Sequence, residues 1–158
     1  MSPVTVQAVV NGDQVKRSIP PNLLLIDFLR DEMGLTGTKQ SCEVEVCGAC
    51  TVLVDDEPVS SCCYLAADID QRRVETVEGL VGTPFHNRVV EAFLRHAAVQ
   101  CGFCTPGLLL TAKAMARREA APTELELREA LAGNLCRCTG YHSVLQALAE
   151  VLGSEGPA

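Results

Sequence analysis

Apolar residues alternate with polar ones at Val4, Val6, Ala8 and Val10, Asn11-Gly12 interrupts the run, and Val15 and Ile19 continue beyond it. A two-residue period on both sides of Asn-Gly predicts a β-hairpin, because that dipeptide tolerates the positive φ of a tight primed turn. Pro20-Pro21-Asn22 then offers a helix start. Leu25, Phe28 and Leu29 recur at helical spacing, and Gly34 offers a stop. Residues 51–54 and 58–61 flank Asp55-Asp56-Glu57 as a second hairpin, which returns the chain to Cys62, and residues 73–77 read as a further strand.

Beyond Gly79 the period becomes helical. Val89, Val90, Phe93, Leu94 and Ala97 predict one amphipathic helix, and residues 108–116 predict a second that is apolar around much of its circumference. Thr123-x-x-Glu126 is a capping box opening a third helix through Leu131, stopped at Gly133. Val144, Leu145, Leu148, Val151 and Leu152 mark a fourth. The chain therefore reads as α+β in two halves joined near residues 79–84, with no internal repeat or low-complexity tract.

Composition narrows the function classes. Against 20 acidic residues there are 13 basic ones in 158, a balance that argues against nucleic acid as a partner. No apolar run approaches the ~20 residues of a transmembrane helix. Each half is too small for a large core, so an added staple is expected in each.

Nine cysteines supply that staple. One set reads Cys42-x4-Cys47-x2-Cys50-x11-Cys62 and the other Cys101-x2-Cys104-x31-Cys136-x-Cys138. Four thiolates are what one [2Fe–2S] cluster needs, and the first set follows the plant-type ferredoxin spacing. An odd count and the lack of a basic-then-apolar leader weigh against a disulfide framework. Zinc ribbons pair two C-x2-C knuckles across ~15–20 residues, whereas Cys50 and Cys101 stand far wider apart. A thioredoxin-like dithiol at Cys47–Cys50 or Cys101–Cys104 leaves the other cysteines without a role. A Rieske centre needs histidine ligands, and no Cys-x-His pair occurs; His86, His96 and His142 read as surface or capping residues. Cys63, beside Cys62, is expected as a buried packing thiol pointing away from it by strand alternation. Gly48, Gly102, Gly107 and Gly140 either free backbone amides to face cluster sulfurs or serve as turn glycines.

The segments Cys47-Gly-Ala-Cys50-Thr51-Val52, Gln100-Cys101-Gly-Phe-Cys104-Thr105-Pro106-Gly107 and 133–141 (GNLCRCTGY), preceded by Leu35-Thr36-Gly37-Thr38-Lys39, resemble the iron–sulfur small subunit of the xanthine oxidase family of molybdenum hydroxylases over roughly residues 4 to 152. That resemblance implies a β-grasp plant-type ferredoxin domain at 1–79 followed by a four-helix bundle at 80–158. It implies two [2Fe–2S] clusters on Cys42, Cys47, Cys50 and Cys62 and on Cys101, Cys104, Cys136 and Cys138, with Gln100 and Cys138 beside a pterin. It also implies partners: a large molybdopterin subunit carrying the cofactor as a cytosine dinucleotide and a medium FAD-binding subunit. Together they would form a cytoplasmic complex assembled as a dimer of heterotrimers. Electrons would then enter at the C-terminal cluster and leave from the N-terminal one to FAD, and no residue of this chain would act on substrate. In one place the chain departs from the family, which often has glycines between the first two cysteines where this chain has Glu43-Val44-Glu45-Val46. A free-standing two-cluster ferredoxin and a zinc-stabilised interaction module are the alternative readings.

Overall fold

The computed structural model describes residues 2–117 and 120–153. Residue 1 and residues 154–158, at the outer ends of the two expected halves, lie outside the described residues. Strands β1 (Val4–Val10) and β2 (Asp13–Ile19) pair antiparallel from Val4 opposite Ile19 to Val10 opposite Asp13. Asn11 and Gly12 turn between them at φ 51° and 92°, the primed turn that the sequence calls for. Strands β3 (Thr51–Val54), β4 (Glu57–Ser60) and β5 (Arg73–Glu75) complete a mixed five-stranded sheet in the order β2-β1-β5-β3-β4, with β5 parallel to β1 and antiparallel to β3.

One face of this sheet buries Val6, Ala8, Val10, Val52, Val54 and Val74 against Leu25, Phe28 and Leu29. The helix carrying those three starts later than the prolines suggest. A single α-turn, α1 (Leu25–Asp27), widens into a π-turn over Phe28–Glu32 that Gly34 stops at φ 72°. Pro20 cannot begin it, since a residue before proline is driven out of the α region, and Leu24 is still extended, bridged to Leu65. The other expected hairpin is tighter than its sequence implies. Asp55 and Asp56 alone make the turn, at φ 49° and 73°, and are held there by Arg73, whose amide and guanidinium they accept from at 2.9 and 2.8 Å.

β3 is buried on both faces. Val52 and Val54 enter the core just described, whereas Leu53 enters a second core with Leu80, Phe93, Leu108, Leu127 and Leu148. Around this second core lie α2 (Val77–Leu80), α3 (Pro84–Arg95), α4 (Thr105–Met115), α5 (Glu124–Leu131) and α6 (His142–Leu152). Helix α4 packs on β3 and on α2, α3 and α5, so its all-round apolar surface is buried as expected. Thr123 and Glu126 form the capping box. On α3 the buried stripe is Val89, Ala92 and Phe93; Leu94 faces out and Ala97 lies past the helix end. The strand expected to reach residue 77 stops at Glu75 because Thr76 bonds with Asn11 in both directions. The stretch after it begins as α2, anchored on the first hairpin. Among the described residues no helix is long and apolar enough to cross a membrane.

Candidate metal centres

The loop from Thr36 to Cys50 ends directly in β3, which lies inside the sheet between β5 and β4. Its backbone turns left-handed at Glu43 (φ 58°), Glu45 (φ 59°) and Gly48 (φ 65°). Each left-handed residue between right-handed ones swings successive amides to one side, a concavity suited to anionic groups. The amides of Val44, Cys47 and Val46 accordingly point at the Cys42 sulfur, Cys47 N at 3.4 Å, and hold that thiol well below its usual range, at about 6. The glycine-poor stretch thus keeps a glycine-like backbone, and both glutamates carrying it are exposed. Cys42 and Cys47 are in thiol contact, as are Cys50 and Cys62. The second pair is buried against Ile26 and Leu24, and burial pushes Cys50 up to about 11.

The other cysteines come from two separate inter-helix loops. Cys101 and Cys104 precede α4, and Cys136 and Cys138 lie between α5 and α6. Here too the thiols pair: Cys101 with Cys138 at 3.7 Å, and Cys104 with Cys136. Burial, reinforced by Cys136, drives Cys104 up to about 12. Burial also raises Cys136, yet the Thr139 hydroxyl at 3.1 Å and the amides of Thr139 and Cys138 outweigh it and lower that thiol. Cys138 is raised by its hydrogen bond with Cys101. Gln100 donates to the Cys138 carbonyl at 3.1 Å, so the two residues expected beside a pterin share one exposed rim.

Eight thiols therefore stand as four pairs. Two ligands of one tetrahedral metal at ~2.3 Å lie about 3.8 Å apart, the spacing of Cys101 and Cys138. Among the described residues no group of three or more His, Cys, Asp or Glu side chains is arranged to hold a single metal ion. Paired thiols fit a binuclear group, in which each iron takes two of four cysteines, better than a zinc ion, which takes all four.

The two loops are also tied to each other. Leu135 N donates to the Cys47 carbonyl at 2.8 Å. The side chain of Asn134, only 4% exposed, donates to the Gly48 carbonyl at 3.0 Å and to Thr51 at 3.2 Å, and accepts from Thr111 at 2.7 Å. Gly48 has to be glycine there: a Cβ would lie 2.1 Å from the Gly133 carbonyl oxygen.

Family models meet this arrangement in two places: one described as a 2Fe-2S iron-sulfur cluster binding domain matches residues 8–80, and one described as a [2Fe-2S] binding domain matches residues 76–149. The nicotinate dehydrogenase small FeS subunit of Eubacterium barkeri is 41% identical over 94% of both chains. The xanthine dehydrogenase iron-sulfur-binding subunit of Escherichia coli O157:H7 is 43% identical over 92% of both. The chain belongs to the iron–sulfur small subunits of the xanthine oxidase family. As such it is an electron-transfer subunit of an oxidoreductase, with the ferredoxin-like sheet first and a helical part after it. A chain of the crystal structure of quinoline 2-oxidoreductase from Pseudomonas putida 86 superposes with a TM-score of 0.89 at 42% identity, covering 97% of this chain and 96% of that one.

Cys63 corrects an expectation. It is exposed, and its sulfur lies 3.8 Å from that of Cys62 and 3.9 Å from the Glu43 carbonyl. Residues Ser61–Cys63 form a 3-10 turn, so neighbouring side chains do not alternate as they would on a strand. Sequence reasoning also passed over Asn134 and Tyr141. The Tyr141 hydroxyl accepts from Cys136 N at 2.7 Å and donates to the Asn134 carbonyl at 2.8 Å. The signal available for them was a polar or aromatic residue within a few positions of a cysteine, which by itself names no partner.

Proposed function

We propose that this chain holds two [2Fe–2S] clusters and conducts single electrons from a molybdenum–pterin centre on a large partner subunit to FAD on a medium one. Each cluster, when bound, accepts and returns one electron at a time. Cys42, Cys47, Cys50 and Cys62 hold one, and Cys101, Cys104, Cys136 and Cys138 hold the other. The pairing of the eight thiols in two loops joined at Cys47 and Leu135 is the observation that carries this reading.

The chain's residues divide the work. The inward amides at Cys42 and the Thr139 hydroxyl at Cys136 offset thiolate charge. Gln100 and Cys138 form the rim facing the pterin, borne as a cytosine dinucleotide. Around that rim Val99, Phe103 and Leu135 are 40%, 45% and 52% exposed, apolar surface that suits cover by a partner more than a free-standing ferredoxin. The halves meet near residue 79, the second a four-helix bundle, and the assembly is a cytoplasmic dimer of heterotrimers.

Purifying the native complex tests all of this. About four irons per chain, two distinct EPR signals on reduction and copurifying flavin and molybdopterin subunits are expected. A colourless zinc protein, or a red monomer without partners, would replace this reading with one of its alternatives.

A further inference from the structure

Leu135 stands between the two cysteine loops. From the Cys47 sulfur to the Cys136 sulfur the connection is covalent except for one hydrogen bond, Leu135 N–H to the Cys47 carbonyl. The side chain of Leu135 is half exposed, so its backbone needs fixing from elsewhere. The Tyr141 hydroxyl supplies that from both flanks: it accepts a hydrogen bond from the amide of Cys136 and donates one to the carbonyl of Asn134, and so fixes the two peptide planes that enclose Leu135. Tyr141 occupies the N-cap position of α6 at φ 69°, unfavourable for a non-glycine residue, and its side chain makes no capping bond. A strained residue whose hydroxyl serves the loop rather than the helix is one that its surroundings over-determine.

The geometry points to Tyr141 as a positioning residue for electron exchange between the two centres. Its hydroxyl keeps residues 134–136 as a taut strap on Cys47, while the Asn134 amide anchors the strap's other side on Gly48 and Thr51. This rests on the two-cluster reading above. In the exchange it serves, one electron leaves the reduced C-terminal centre and arrives at the oxidised N-terminal one; no bond or proton changes place, and substrate oxidised on the partner supplies the electron. Tyr141 itself is neither oxidised nor deprotonated.

Tyr141→Phe in the whole complex tests it, since phenylalanine keeps the ring and loses only the hydroxyl. Wild-type complex must first show both EPR signals; their absence would defeat the two-cluster reading and not this inference specifically. The variant is expected to keep both signals and both midpoint potentials. Freeze-quench EPR after substrate addition should show the N-terminal signal arising severalfold later than in wild type. Spin coupling between the two reduced centres should weaken, and hydrogen exchange at the Leu135 amide should speed up. A lower melting temperature with exchange rate and spin coupling unchanged would show that Tyr141 only buttresses α6, and would overturn the inference. Faster Leu135 hydrogen exchange without slower electron exchange would overturn it too, because the strap would then not be the route. Tyr141→Trp, which restores no hydroxyl at that point, should behave as Phe does; a wild-type rate in it would count against the inference.

Discussion

The two cysteine loops reach the same chemistry by different means. The N-terminal one is nearly continuous in sequence and shields its outermost sulfur with backbone amides, which requires left-handed residues at Glu43 and Glu45. The C-terminal one is assembled from two loops far apart in sequence and adds side chains to its amides: the Thr139 hydroxyl on the Cys136 sulfur, Gln100 on the Cys138 carbonyl and Tyr141 on the strap between them. A loop that runs straight into an inner strand can fix its own amides. Between the helices, the amides of Thr139 and Cys138 act on the Cys136 sulfur together with the Thr139 hydroxyl. Within each loop one thiol pair is more buried than the other, so both centres have an inner and an outer side.

The largest effect that would break this comparison concerns direction. An assembled Cys42→Ser complex lacking the N-terminal cluster should reduce its C-terminal centre on adding substrate and leave FAD oxidised, whereas Cys136→Ser should block both. Rapid-reaction absorbance, after assembly is confirmed by gel filtration, decides it. Prompt flavin reduction in the Cys42→Ser complex would reverse the proposed order.

Next comes the joint. Gly48→Ala places a methyl 2.1 Å from the Gly133 carbonyl oxygen at φ 65°. Backbone does not yield as a flexible side chain would, and the left-handed cost adds to the clash, so a loss of ~3 kcal/mol or more is expected. Melting should fall by roughly 6–12 °C in a chain of this size. Because the same glycine touches both loops, both EPR signals should broaden together; a change confined to the N-terminal signal would mean that the loops are independent.

How much of this could be read from the residues follows the same division. Asn11-Gly12 and the Thr123–Glu126 box are local signals, and each lies where the sequence puts it. The positive φ at Glu43 and Glu45 was illegible because nothing in a glutamate announces it; only the fold around Cys42 imposes it. Asn134 was illegible for another reason, its partner Gly48 being 86 residues away. β3 carried a hint that went unused, since an unbroken Thr-Val-Leu-Val run signals burial on two faces.

A smaller change probes the side-chain half of the comparison. Thr139→Val removes the hydroxyl that donates to Cys136 at 3.1 Å. That bond strengthens as electron density on the sulfur rises, so its loss disfavours the reduced state. The C-terminal potential should drop by roughly 40 mV, the equivalent of about 1 kcal/mol for one electron, with the N-terminal potential unmoved. Redox titration followed by EPR separates the two, and an equal shift in both would deny that the loops are tuned separately.

The smallest expected effect is at Cys63, and it sharpens which thiol completes the N-terminal set. Its sulfur is 3.8 Å from that of Cys62, close enough that distance alone does not choose between them. Burial does: Cys62 is 4% exposed and packs with Cys50 and Ile26, whereas Cys63 is exposed at the rim beside the Glu43 carbonyl. On the proposed two-cluster reading, a ligand to the inner iron comes from the inner side. Cys63→Ser should therefore leave iron content and both EPR signals unchanged, while Cys62→Ser removes or reshapes the N-terminal signal alone. Iron analysis and EPR of the two variants side by side are sufficient, and loss of the N-terminal signal in Cys63→Ser with its retention in Cys62→Ser would transfer the ligand to the exposed thiol.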